Sequence, residues 1–220
     1  MDIEKINQAY DSKYWWYDLR GLFILTFAYN STLWRQISHF SKHMGPVHLE
    51  AACGSGTLLD YFLKWRRWKK ASPIQVYAFD YADSMLAGAL KRFRNNPNVF
   101  IEKADVCQLP YPSDFFDSIS VANALHSFPN IRGSLKELLR VLKPGGALAG
   151  NLLLYPKGKG VLARLSFRIN EWGMKKGILH TPYQSDEFKV LVEEAGFQTL
   201  QWQRHGNSLD FVLCKPVDDR

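Results

Sequence analysis

The sequence predicts an α/β fold built on a mostly parallel, doubly wound sheet, and three observations predict it. From Val47 onward, short apolar runs alternate with longer amphipathic stretches, the pattern of strand–helix–strand units. The first apolar run passes directly into a glycine-rich turn, Cys53-Gly54-Ser55-Gly56, that opens a helix. The chain ends on two strand-like runs around His205-Gly206-Asn207, which suits an antiparallel hairpin on one edge of the sheet.

Taken in order, residues 1–44 are aromatic-rich and helical in pattern, with Tyr10, Tyr14, Trp15, Trp16, Tyr17, Phe23 and Phe27 prominent. They read as an N-terminal helical lid on a domain spanning 45–220. Within them, Leu22 to Tyr29 is apolar but much shorter than the about 20 residues a bilayer span needs. Asp2 and Glu4 and the lack of a basic start argue against a signal peptide. Strands are expected at 47–50, 75–80, 99–103, 116–121 and 147–154, with helices at 57–70, 84–93 and 131–141. Asp83 or Ser84 is expected to cap the second of these helices. Pro144-Gly145-Gly146 should break the chain into a turn before the fifth strand. Residues 156–181, basic and glycine-containing, suggest no firm element and read as an insertion beside the substrate pocket. A helix at 185–195, capped by Ser185, precedes strands at 198–203 and 208–215.

Composition narrows the function classes. Hydrophobic residues at 46% and charged residues at 22% describe a globular chain rather than a disordered one. Cys53, Cys107 and Cys214 are too scattered for a disulfide framework or a metal-ligand cluster, so no metal and a reducing cytoplasm are expected. The net charge of +7 raises nucleic acid as a partner, and much of the excess sits in Lys64-Trp65-Arg66-Arg67-Trp68-Lys69-Lys70. Basic and aromatic residues so interleaved admit phosphate backbones or peripheral contact with an anionic membrane. Cations also favour the negative end of a helix dipole, and a solvated helix end is the preferred reading.

The chemistry concentrates in the loop after the first strand. Glu50-Ala51-Ala52-Cys53-Gly54-Ser55-Gly56 places an acidic residue ahead of glycines that let a ligand approach the backbone, at a helix start with free N–H groups. A dinucleotide fingerprint needs a third glycine three residues beyond the second, and Leu59 or Thr57 stands there instead. No Lys followed by Ser or Thr closes the loop, so it is not a phosphate-binding P-loop. The Glu50 carboxylate suits a cationic ligand and would repel a pyrophosphate. Asp80, at the end of the second strand, can accept both hydroxyls of a ribose. Asp105, in Ala104-Asp105-Val106 after the third strand, offers an acceptor for an adenine amino group.

Together with Leu142-Lys143-Pro144-Gly145-Gly146 and Gln108-Leu109-Pro110-Tyr111-Pro112 before Asp114-Phe115-Phe116-Asp117, this ordered set resembles the class I S-adenosylmethionine-dependent methyltransferases. The likeness is to the branch containing the ubiquinone and menaquinone biosynthesis C-methyltransferases, over roughly residues 47–154. Ala52 stands where glycine is commoner. The resemblance implies a Rossmann-like fold and S-adenosyl-L-methionine as cofactor. It implies that Glu50, Ala51, Gly54 and Gly56 hold the methionine end and Asp80 the ribose. Tyr81 and Met85 would pack near the adenine, whose edge Asp105 and Val106 would read, and Asn123 would lie beside the sulfonium. Met85 could equally be plain helix core, and Cys53 a small space-filler.

His126, just past the fourth strand, is the candidate general base, since an imidazole suits proton transfer near neutrality; it could equally shape the pocket. Tyr14, Trp15 and Tyr17, with His126, are the expected contacts of a small, hydrophobic or aromatic acceptor. Two alternatives remain: a cofactor binder that transfers nothing, or a cyclase using the same pocket. An RNA methyltransferase is disfavoured. Asn123-Ala124-Leu125-His126 lacks the Pro-Pro-aromatic run of adenine-amino enzymes, and no cysteine follows a proline.

Overall fold

In a computed structural model of the chain, residues 32–154, 167–168, 171 and 183–217 are described. The expected contacts Tyr14, Trp15 and Tyr17, most of the lid and most of the insertion at 156–181 fall outside them.

Among the described residues, seven strands form one sheet: Val47–Ala51 (β1), Gln75–Asp80 (β2), Val99–Lys103 (β3), Phe116–Val121 (β4), Leu142–Leu153 (β5), Gln198–His205 (β6) and Ser208–Cys214 (β7). Their order is β3-β2-β1-β4-β5-β7-β6. The first five run parallel, and β7 pairs antiparallel with both β5 and β6. This is the doubly wound, mostly parallel sheet with an antiparallel edge hairpin that the sequence predicts. The strand order reverses between β1 and β4, and in open α/β sheets the crevice beyond the strand ends at that point is where ligands bind.

Helices cover both faces: Leu33–Ser41 (α1), Thr57–Trp68 (α2), Asp83–Phe93 (α3), Ile131–Val141 (α4) and Ser185–Ala195 (α5). One buried cluster joins Ile37, Phe40, Leu59, Phe62, Val76 and Phe93, tying α1, α2 and α3 to one face. The other joins Phe79, Ile119, Leu135, Leu138, Phe188 and Phe211, tying α4 and α5 to the opposite face. Burial on both faces explains why the central strands read as continuous apolar runs.

The helix ends show local chemistry at work. The Thr32 hydroxyl accepts the Arg35 N–H at 3.3 Å to start α1, and Asn130 accepts Gly133 N–H at 3.0 Å to start α4. Three expected boundaries differ. Gln184, not Ser185, caps α5, in a reciprocal box with Glu187, while Ser185 Oγ accepts Trp202 Nε1–H at 3.0 Å. Ala82 stands at the cap of α3 with no side-chain bond, so neither Asp83 nor Ser84 caps it. The fifth strand starts at Leu142 and carries Pro144-Gly145-Gly146 as an irregularity within it. The segment stays on the sheet because Lys215 supplies both missing backbone partners, accepting from Gly145 N–H at 2.9 Å and donating to the Gly146 carbonyl at 3.1 Å.

Candidate active site

Beyond the end of β1 the chain turns through Ala52, Gly54 and Gly56, all at positive φ, of 55°, 57° and 76°. The two glycines serve different ends. A Cβ on Gly56 would meet the Phe93 ring at 2.6 Å, so this glycine lets α3 close onto the loop. A Cβ on Gly54 would meet nothing within 4 Å, so this backbone borders open space. Arg92 clamps the turn from α3, donating to the Ser55 carbonyl at 3.1 Å and the Thr57 hydroxyl at 2.7 Å.

Asp80 ties the loop to β2. One carboxylate oxygen accepts Gly54 N–H at 2.8 Å and the other accepts Ala82 N–H at 2.9 Å. Burial pushes its pKa up, and the N–H groups of Ala82, Gly54 and Tyr81 pull it back. Beside these N–H groups the carboxylate keeps capacity to accept from a ligand hydroxyl. A loop backbone facing open space with a fixed carboxylate beside it fits a nucleoside whose far end passes along the loop.

The neighbouring strand end is similarly organised. The Ala104 N–H reaches the Asp80 carbonyl at 3.4 Å, and the Asp105 carboxylate accepts Cys107 N–H at 2.8 Å. Val106 is buried, Tyr81 is half-buried with the Lys103 ammonium 5.3 Å from its ring centre, and Met85 is fully buried in the core. Cys53 is partly buried; burial and the Asp80 and Glu50 carboxylates push its thiol far up, so it carries no thiolate. His126 is buried in a 3₁₀ turn, Leu125–Ser127, just past β4.

Two groups of partners that sequence reasoning did not single out join the site, Gln36 and Asn151 around Asn123 and His48, Ser118 and Ser120 around Glu50. Asn123, at φ 55°, exchanges a pair of amide hydrogen bonds with Gln36 at 2.9 and 3.0 Å and receives one from Asn151 at 2.6 Å. Its side chain is thereby committed to α1 and β5. Glu50 is likewise enclosed, 2% exposed, beside His48, Ser118 and Ser120. The available signal was periodicity: His48 and Glu50 share one strand face, and so do Ser118 and Ser120.

The basic segment at 64–70 is largely spoken for. Arg66 donates to the carbonyls of Ser41, Met44 and Ser72 at 3.0–3.1 Å, Lys64 pairs with Asp60, and Lys69 sits over the Trp65 and Trp68 rings. Among the described residues, no helix is long and apolar enough to cross a membrane.

Residues 49–150 match the methyltransferase domain family. A demethylmenaquinone methyltransferase from Clavibacter sepedonicus is 32% identical over 54% of this chain and 46% of its own. A 27-O-demethylrifamycin SV methyltransferase from Amycolatopsis mediterranei is 37% identical over 68% of this chain and 53% of its own. The chain spans between about a third and about half the length of the curated relatives it matches. Among solved structures, an S-adenosylmethionine-dependent methyltransferase from Aquifex aeolicus superposes with a TM-score of 0.63 at 21% identity, over 97% of this chain and 98% of its own. Residues 49–150 are thus a methyltransferase domain, on a doubly wound sheet with the fold of the S-adenosylmethionine-dependent methyltransferase from Aquifex aeolicus. The chain's sequence relatives include the ubiquinone and menaquinone biosynthesis C-methyltransferases.

Proposed function

We propose that this chain transfers a methyl group from S-adenosylmethionine to a small, largely apolar or aromatic acceptor, at oxygen, nitrogen or carbon. The observation that carries the reading is the Gly54 backbone, open to a ligand and bonded to the Asp80 carboxylate. Relatives named for demethylmenaquinone and for 27-O-demethylrifamycin SV support a small organic acceptor.

Glu50, Ala51, Gly54 and Gly56 hold the methionine end, and Asp80 takes the ribose hydroxyls. Tyr81 flanks the adenine over a wall that Met85 fills from within, and Asp105 and Val106 read the adenine edge. Asn123, fixed by Gln36 and Asn151, is the rigid backbone at the sulfonium side. When bound, the cofactor supplies a methyl group on a leaving group that is already activated. The residues' task is therefore alignment, which is worth several kcal/mol in well-oriented systems. Where the acceptor must lose a proton, an imidazole nitrogen of His126 takes it. Tyr14, Trp15 and Tyr17, with His126, are the residues assigned to contact the acceptor.

Incubating the protein with methyl-labelled cofactor and a cell extract tests this. Label is expected in a small, organic-soluble product. Label in RNA or protein refutes the acceptor class, and no label despite cofactor binding favours a binder or cyclase. In the variant His126→Ala, loss of a general base should lower turnover by about 10²–10⁴ with the cofactor still bound. A loss confined to acceptor affinity would make His126 a pocket wall.

A further inference from the structure

A chain of hydrogen bonds runs through the interior along β1 and ends on Glu50. The Gly45 N–H donates to Ser118 Oγ at 2.6 Å, and Ser118 Oγ lies 2.7 Å from His48 Nδ1. His48 Nε2 lies 2.9 Å from Ser120 Oγ, which donates to a Glu50 carboxylate oxygen. The parallel register sets His48 against Ser118 and Glu50 against Ser120, so all four side chains share one face of the sheet. All four are 2% exposed or less.

Proton counting gives the chain a direction. The Glu50 carboxylate can only accept, so the single Ser120 proton goes to it. Ser120 Oγ must then accept from His48, which places the imidazole proton on Nε2. That leaves His48 Nδ1 as an acceptor for the Ser118 hydroxyl, whose oxygen accepts the Gly45 amide. Every donor and acceptor along the path is used once, pointing from the backbone before β1 to the loop carboxylate. Such aligned bonds polarise one another in a low-dielectric interior.

Stability alone does not account for it. Replacing a satisfied buried polar set by apolar residues of similar shape is often neutral or stabilising. What the network does fix is the orientation of the carboxylate at its end. Glu50 is the last residue of β1 but one, and the glycine loop follows it directly. We propose that His48, Ser118 and Ser120 are positioning residues that orient the Glu50 carboxylate for the methionine end of the cofactor. The inference rests on the site assignment proposed above.

Calorimetry on the full chain with two probes tests it. S-adenosylhomocysteine carries the amino-acid end, and adenosine lacks it. The variants Ser120→Ala and Ser118→Ala each remove one oxygen and should leave the fold intact. Ser120→Ala is expected to weaken S-adenosylhomocysteine binding by about tenfold, as for one hydrogen bond to a charged group, and to leave adenosine binding unchanged. Ser118→Ala should do the same to a smaller extent. Unchanged S-adenosylhomocysteine affinity in Ser120→Ala, or equal losses for both probes, overturns the positioning role alone. Failure of the unmutated protein to bind S-adenosylhomocysteine overturns the site assignment and this inference with it. Independently, the nitrogen-15 spectrum of His48 should show the neutral Nε2–H tautomer. An Nδ1–H tautomer would contradict the direction of the chain.

Discussion

Asp80 accepts the backbone N–H groups of Gly54 and Ala82 and so ties the glycine loop to the end of β2. Replacing it with Ala removes both the loop tether and the two bonds expected to the ribose. Bonds to a charged acceptor contribute about 1.5–3 kcal/mol each, so S-adenosylhomocysteine binding should weaken by about a hundredfold or more. Unchanged affinity by calorimetry would remove Asp80 from the site. The two loop glycines make a sharper comparison. Gly56→Ala drives a Cβ into Phe93 at a left-handed position and should cost about 1–3 kcal/mol of unfolding free energy. Gly54→Ala meets no neighbour and should cost only about 1 kcal/mol for its backbone. Its methyl would nevertheless enter the space where the ligand passes, so cofactor affinity should fall more than stability. Denaturant melts alongside calorimetry separate the two, and a Gly54→Ala variant that binds normally would place the cofactor elsewhere.

At the scale of elements, α1 sets a buried histidine, His39, against the backbones of β5 and β7, while its Ile37 and Phe40 join the cluster around Phe62 of α2. Burial, followed by the nearby His43 and Lys42 charges, lowers the His39 pKa from 6.5 to about 4, against a smaller pull from the Gly150 and Phe211 backbones. The folded chain keeps this imidazole neutral while the unfolded chain protonates it near pH 6.5. Its contribution to stability is therefore complete above pH 6.5 and is lost as the pH falls towards 4. The shift corresponds to something on the order of 3 kcal/mol. Burial lowers His43 in the same direction. Urea midpoints measured at pH 7 and pH 4.5 should drop less in a His39→Leu variant than in the unmutated protein. Parallel drops would mean that other groups carry the acid sensitivity.

For the whole molecule, the +7 charge looks like a nucleic-acid signature until its local partners are seen. Arg66 is spent on three carbonyls and Lys64 on Asp60, while Lys69 lies against two tryptophan rings. Mixed RNA in an anisotropy titration should therefore bind weakly. Tight binding that falls steeply with salt, and vanishes when Arg67, Lys69 and Lys70 are reversed to Glu, would overturn the small-molecule assignment. Most of the fold was legible at this scale because its signals are local. The β2, β3 and β4 boundaries follow from apolar runs of strand length, and α4 follows from its amphipathic period. The loop was legible because glycine at a strand-to-helix turn has few other uses. Less legible were the cap of α5, where Ser185 turns to Trp202 and leaves the cap to Gln184, and the start of β5, where a turn signal was overridden by Lys215.

Sequence by itself determined the alternation of strands and helices, the glycine loop, and the carboxylates at the ends of β1 and β2. Each of these is set by residues within a few positions of one another. Only the tertiary structure decided what those groups touch. Glu50 meets Ser120 across 70 positions, and Asn123 meets Gln36 across 87. Such partners are chosen by the register of neighbouring strands and by where α1 docks. A one-residue slip of β4 against β1 would turn Ser118 and Ser120 to the other face, and no local pattern in either strand states which residues stand opposite one another.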